Sequence, residues 1–183
     1  MFKIKVVHGV NENLVDDIVR IDRDSFPAGW EQGDAKEYFS EILKNENNVR
    51  IILKNDGITV GYLLAVPHNV ARKDLEEDDS LIHEDASRYY IESVAILPTY
   101  KGKGGFSEMF EMLIQELKKK GIIKISMHAR VLNNFSNIIQ KKTKVTLRRK
   151  IEKWKYYNYE EPTDYIEATL YPPFQNLSPS HSA

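Results

Sequence analysis

The run "YYIESVAIL", Tyr89–Leu97, is apolar except at Glu92 and Ser93. A strand of that composition is buried on both faces, so the chain needs a sheet with packed layers above and below it. The turn that follows, "PTYKGKGG", crowds glycine and lysine together. Beyond it Phe106, Met109, Phe110, Leu113 and Leu117 recur at the spacing of an amphipathic helix, which Gly121 ends. A central strand, a glycine turn and a helix in succession predict a layered α/β domain with a loop site at the strand's end.

The remaining pattern extends this reading. Phe2 to His8 alternates as a strand. Asn11 or Asn13 can cap a helix carrying Leu14, Ile18 and Ile21. "FPAGW" breaks it, and Asp34 caps a second helix with Tyr38, Phe39, Ile42 and Leu43. "VRIILKNDGITVGYLLAV" reads as two strands joined at Asn55-Asp56-Gly57. A polar excursion follows, with seven acids between Asp74 and Asp85. After the central helix, "IIKISMHA" is a strand and "LNNFSNIIQKK" a short helix. "VTLRRKIEKWKYYNY" and "DYIEATLY" are two long strands joined across Glu160–Thr163. The expected order is β-α-α-β-β-β-α-β-α-β-β in one domain, residues 1–171, followed by a disordered tail, 172–183.

Composition excludes several classes. The chain has 183 residues, 42% of them apolar, and a formal net charge of −1, so no global field points to nucleic acid or membrane. It has no cysteine, which removes disulfides, thiolate metal sites and a cysteine nucleophile, and fits a reducing, cytoplasmic setting. The five histidines show no metal-ligand spacing. No apolar run is long enough to span a bilayer, and "MFKIKVVHGV" is too strand-like for a signal peptide.

The glycine turn points to anion binding. The first N–H groups of a helix lack intrahelical acceptors, and glycine lets a phosphate approach the main chain closely. G-x-x-x-x-G-K-[ST] is absent, and Ser107 stands where G-x-G-x-x-G requires glycine. A solvated lysine turn remains the plain alternative.

These stretches resemble the GNAT superfamily of acetyl-coenzyme A-dependent N-acetyltransferases, over roughly residues 2–171. "ESVAILPTYKGKGGFSEMF" is similar to the family's central signature. "NNFSNII" is similar to its second, with Asn133, Ser136 and Ile139 in matching places. "DRDSFPAGW" resembles the helix-to-loop segment of the protein N-terminal branch, and "NYEEPTDYIEATL" the closing hairpin. The resemblance implies a mixed, mostly antiparallel sheet, splayed at the cofactor site and flanked by about four helices. Val94, Ala95 and Ile96 then pair with the pantetheine arm through their main chain. Main-chain groups of Lys101, Gly102, Lys103, Gly104, Gly105 and Phe106, with Ser107, hold the pyrophosphate, and Asn133 and Ser136 lie near the cofactor. Three positions depart from the pattern. Lys101 replaces the usual Arg or Gln, Phe106 a small residue, and Gln140 the tyrosine that often serves as general acid.

Without a cysteine, direct attack by an amine on the thioester in a ternary complex is the economical mechanism. Glu92 is the candidate general base, and strand alternation puts it on the face of Val94 and Ile96. No general acid stands out, although Tyr156, Tyr157 and Tyr159 offer phenols. Phe26 and Trp30 can wall an acceptor pocket or simply cap the core. The run Asp74–Asp85 is either an amine-attracting surface or a solvated loop. Lys141–Lys155, with eight basic residues and one acid, can hold the coenzyme's 3′-phosphate or RNA, or guard a sheet edge. The expected function is N-acetylation of a small or peptide amine, with a non-catalytic acyl-coenzyme A sensor as the alternative. The expected partners are acetyl-CoA and an amine acceptor, with no nucleic acid or membrane, and a possible homodimer.

Overall fold

A computed structural model describes residues 1–27, 34–156 and 159–170. Trp30 and the tail 172–183 lie outside the described residues. The strands are β1 (Phe2–Val6), β2 (Val49–Asn55), β3 (Ile58–Pro67), β4 (Arg88–Ile96), β5 (Lys124–Arg130), β6 (Lys144–Tyr156) and β7 (Tyr159–Thr169). The helices are α1 (Glu12–Ser25), α2 (Ala35–Lys44), α3 (His68–Leu75), α4 (Gly105–Lys119) and α5 (Phe135–Lys142). The strands form one sheet in the order β1-β2-β3-β4-β5-β7-β6, antiparallel throughout except between β4 and β5. The expected fold class is therefore present, and the element order holds except for one added helix, α3. Among the described residues no helix is long and apolar enough to cross a membrane.

Both faces of the sheet are covered, as the apolar β4 requires. On one face Val15, Ile18 and Ile21 of α1 and Phe39 and Leu43 of α2 pack on Ile52, Tyr62, Leu64 and Ala95. On the other, Met109, Phe110, Leu113 and Leu117 of α4 pack on Ile51, Leu53, Leu63 and Ile91. Local signals sit where expected. The Asn11 side chain accepts the Leu14 N–H at 2.8 Å and starts α1. Asp56 and Gly57 both take positive φ (49° and 85°), the pair of angles a two-residue hairpin needs.

Three expectations are corrected. α3 occupies the start of the polar excursion, where Ala71 packs against Val66 and Tyr90. Its single buried stripe was masked by surrounding charge, so the helices number more than the four expected. The acidic run is solvated only in part: Asp74, Glu76, Glu77, Asp78 and Glu84 are exposed, but Asp79 and Asp85 are not. Asp79 is 4% exposed and Ile82 is buried, so this segment lies against the sheet. The last hairpin also turns earlier than expected. Tyr156 pairs with Tyr159, so Glu160–Thr163 lies within β7. Pro162 falls at the irregularity between Ile151/Thr163 and Trp154/Glu161, where a missing N–H costs no ladder bond.

α4 can sit this close to β2 because its first residue is glycine. A Cβ on Gly105 would lie 2.6 Å from Leu53 Cδ2, and Leu53 is fully buried. Gly105→Ala is expected to cost about 1–3 kcal/mol through overpacking. A urea titration should show a lower midpoint with an unchanged slope.

Candidate active site

The site begins where β4 loses a neighbour. β4 pairs with β5 only through Arg88↔Lys124, Tyr89↔Ile125 and Tyr90↔Ser126. β4 continues to Ile96 along β3, while β5 continues to Arg130 along β7. The two strands therefore diverge, and the β4 edge facing β5 is open from Ile91 onward. The Leu97 N–H donates to the Val60 carbonyl at 2.9 Å. Antiparallel alternation then turns Ala95 toward β3 and leaves the main-chain groups of Val94 and Ile96 on the open side. The Ile96 carbonyl also accepts from Ser25 Oγ at 3.3 Å.

A bulge redirects Glu92. Leu64 pairs with Ser93 and Ala65 with Ile91, so Glu92 is the extra residue on β4. Two consecutive side chains now share one face. Ser93 Oγ lies 3.0 Å from the Tyr62 hydroxyl, and Glu92 Oε1 accepts from the Tyr38 hydroxyl of α2. Val94 and Ile96 pack on the opposite, α4 side. The alternation expected for Glu92 is thus overturned by one inserted residue, a register change no period-2 reading contains. Burial pushes the Glu92 carboxyl above its ordinary value; the Tyr38 hydrogen bond opposes the rise, and nearby Asp74 adds to it. A carboxylate so placed takes up a proton more readily than an exposed glutamate.

At the far end of the open edge lies the glycine turn. Gly102 and Gly104 hold φ of 75° and 87°, and the space around each is clear. The Lys101 N–H is taken by the Pro98 carbonyl at 3.2 Å. Among the described residues, the N–H groups from Gly102 through Ser107 donate to no main-chain or side-chain acceptor. The donor row thus starts one residue later than the sequence reading put it. The exposed ammonium groups of Lys101 and Lys103 flank it; that of Lys103 lies 5.3 Å from the Tyr100 ring. The arrangement fits a ligand with an extended, amide-bearing arm and a phosphate-rich head: the arm along Val94 and Ile96, the head on the turn.

Other expected residues are placed differently. Ser136 is buried and donates to Asp164 at 2.6 Å, so it anchors α5 to β7 and offers no surface to the cleft. Asn133 is exposed, and its side-chain oxygen accepts the Phe135 N–H at 2.9 Å. Phe106 does not block the turn. Its ring leans on Phe110 (5.6 Å) and Phe135 (5.1 Å), which joins the starts of α4 and α5. Phe26 packs, half-buried, beside α1. Gln140 is exposed. Two acids of the Asp74–Asp85 run meet partners in the fold: Asp79 bonds buried His128 and partly buried Arg149, and Asp85 lies 3.2 Å from buried Arg88.

Sequence reasoning missed an array at the point where the strands part. The Tyr90 hydroxyl lies 2.8 Å from His128 Nδ1 and accepts the His128 main-chain N–H at 3.2 Å. His128 Nε2 lies 3.1 Å from Asp79 Oδ2, which also accepts from Arg149. Burial alone would raise the Asp79 carboxyl, but the hydrogen bonds from His128 and Arg149 prevail and hold it at about 2. An ionised Asp79 can only accept, so Nε2 carries the hydrogen and Nδ1 accepts from Tyr90. Burial also lowers the His128 pKa against the pull of Asp79, which leaves a neutral ring stacked 4.1 Å from Trp154. The only signal available was a lone histidine inside an apolar strand, which does not name its partners.

A model of the acetyltransferase (GNAT) family matches residues 15–138. No curated protein matches the chain. Solved structures do. The ribosomal-protein-S18-alanine N-acetyltransferase from Escherichia coli aligns with a TM-score of 0.66 at 14% identity, covering 97% of this chain and 99% of that one. An aminoglycoside 6′-N-acetyltransferase complexed with coenzyme A gives 0.67 at 11% identity, covering 94% and 99%. Arabidopsis thaliana NAA60 in complex with acetyl-CoA gives 0.66 at 17% identity, covering 93% and 98%.

Asp79 also links this array to stability. Its folded pKa lies below its unfolded value, so its contribution is present above pH ~4 and is lost as pH falls toward 2. Asp79→Asn is expected to remove about 2 kcal/mol at pH 7 and to flatten the acid limb of the stability profile. Urea midpoints measured between pH 3 and 7 check both effects.

Proposed function

Because the chain belongs to the acetyltransferase (GNAT) family, we propose that it moves an acetyl group from acetyl-CoA to a primary amine by direct attack in a ternary complex. The observation that carries this reading is the continuity of the open β4 edge with the donor row at Gly102–Ser107. Bound acetyl-CoA supplies an activated acyl group. Val94 and Ile96 align its arm, and the N–H groups of the turn hold its phosphates. Much of the acceleration then comes from holding amine and carbonyl together, an effect worth up to ~7–11 kcal/mol in favourable cases.

An acceptor amine enters protonated and must lose a proton before attack. Glu92, held by Tyr38 beside the bulge, is the base. The Tyr90 hydroxyl, backed by neutral His128 and ionised Asp79, is a second proton carrier at the vertex of the splay. It is our candidate for the role that Gln140 leaves empty, returning a proton to the departing thiolate once its hydrogen turns away from His128 Nδ1. His128 and Asp79 act through Tyr90 and hold its orientation. Lys101 and Lys103 add charge at the phosphate end, whereas Ser136 is reassigned to packing.

The test is thiol release from acetyl-CoA across a set of primary amines. Glu92→Gln is expected to lower kcat/KM about 100-fold at pH 7 and far less at pH 9, where more acceptor is already neutral. In the wild-type enzyme kcat/KM rises as pH passes the elevated Glu92 pKa. A Glu92→Gln variant with an unaltered pH profile removes Glu92 from the mechanism and leaves the Tyr90–His128 pair as the base.

A further inference from the structure

A buried guanidinium cannot shed its proton, so it ordinarily meets a carboxylate. Arg50, near the start of β2, is 5% exposed and forms no ion pair among the described residues. Its Nη1 donates to the Leu43 carbonyl in the last turn of α2. Its Nε hydrogen has no acceptor. Burial lowers the Arg50 pKa, and Glu46 opposes this only from a distance. Closing the end of α2 thus uses one side of the planar fork and leaves the Nε–Nη2 edge over.

Arg50 lines a cavity of about 500 Å³ between α1, α2 and the loop that joins β1 to α1. The Val7 N–H donates to the Arg50 carbonyl at 2.8 Å and fixes that loop beside it. From His8 to Asn13 the main-chain N–H groups donate to no acceptor among the described residues, and His8–Glu12 line the same cavity. Lys44, exposed and also without an ion pair among the described residues, is a second cation of the wall. Lys36 is taken by Asp16 at 2.9 Å. Buried Val15 and Leu43 add apolar surface.

From this arrangement we infer that the cavity is a binding site for a small organic acid, whose carboxylate lies on the Nε–Nη2 edge of Arg50 and whose hydrocarbon part lies against Val15 and Leu43. A carboxylate presents two coplanar oxygens to that edge and carries one charge. A dianionic phosphate fits less well, because Glu12 and Glu46 also line the cavity. The site is separate from the candidate active site. α2 turns Lys36, Ser40 and Lys44 to the cavity, and Tyr38, nearly opposite around the helix, to Glu92. The inference therefore stands without acetyl transfer.

The experiment titrates the full chain with sodium butyrate, butyramide or inorganic phosphate at matched ionic strength, and follows nitrogen–proton NMR signals. The expected result is a saturable shift of the Arg50 Nε–H signal and of the Gly9–Asn13 amides with butyrate. Butyramide, of the same shape without the charge, should bind at least roughly tenfold more weakly, as charge-assisted hydrogen bonds imply. Arg50→Gln keeps a donor for the Leu43 carbonyl and should abolish the preference. Lys44→Met, on the exposed rim, should weaken butyrate binding several-fold whether or not the Arg50 variant folds. Equal binding of butyrate and butyramide overturns the inference. So do butyrate shifts confined to Gly102–Ser107, or a Lys44→Met variant that binds butyrate as the wild type does. Phosphate that moves the Arg50 signal as tightly as butyrate overturns the carboxylate assignment.

Discussion

Beyond the Tyr90–Ser126 pair, β4 and β5 part, and the candidate site is built on that separation. A strand buried in the middle of a sheet normally has both rows of main-chain groups satisfied. Here one row is left open over Val94 and Ile96, although apolar layers cover the sheet on both sides. An extended ligand arm is the natural complement, because it restores the missing ladder. The sheet tolerates the gap because each arm of the opening is held by its other neighbour, β4 by β3 and β5 by β7.

The opening has two ends, and each is built from a different kind of constraint. At the glycine turn the constraint is conformational: Gly102 and Gly104 adopt angles that side chains resist, and the N–H groups that follow are left without acceptors. At the vertex it is electrostatic. Tyr90, His128, Asp79 and Arg149 come from β4, β5, the segment after α3, and β6, and they satisfy one another where the strands separate. Ionised Asp79 and neutral His128 are a consistent pair: the carboxylate sets the tautomer, and the tautomer sets which way the Tyr90 hydrogen points.

Between these ends the bulge at Glu92 sorts the two faces of β4. The α4 side receives Ile91, Val94 and Ile96, which are core. The α1–α2 side receives Glu92 and Ser93 together with Tyr62, Tyr38 and Asp22, a polar strip inside an otherwise apolar layer. A regular strand would have buried Glu92 under α4. The bulge avoids that cost and gives the carboxylate a hydroxyl partner in its place.

The sequence by itself determined what depends on neighbours along the chain. The apolar run Tyr89–Leu97, the helical spacing after Gly105, the Asp56-Gly57 hairpin and the Asn11 cap each rest on local backbone geometry, and each is found in place. The glycine turn could be read as an anion site because free helix N–H groups and positive φ are local properties too. Tertiary structure decided what depends on register and on partners distant in sequence. One inserted residue moved Glu92 to the other face. Asp164 claimed Ser136, and a buried histidine found its aspartate 49 positions away. Side-chain period and turn chemistry are carried by a few adjacent residues, whereas the pairing of a buried polar group is settled only when separate elements close on it and water is excluded.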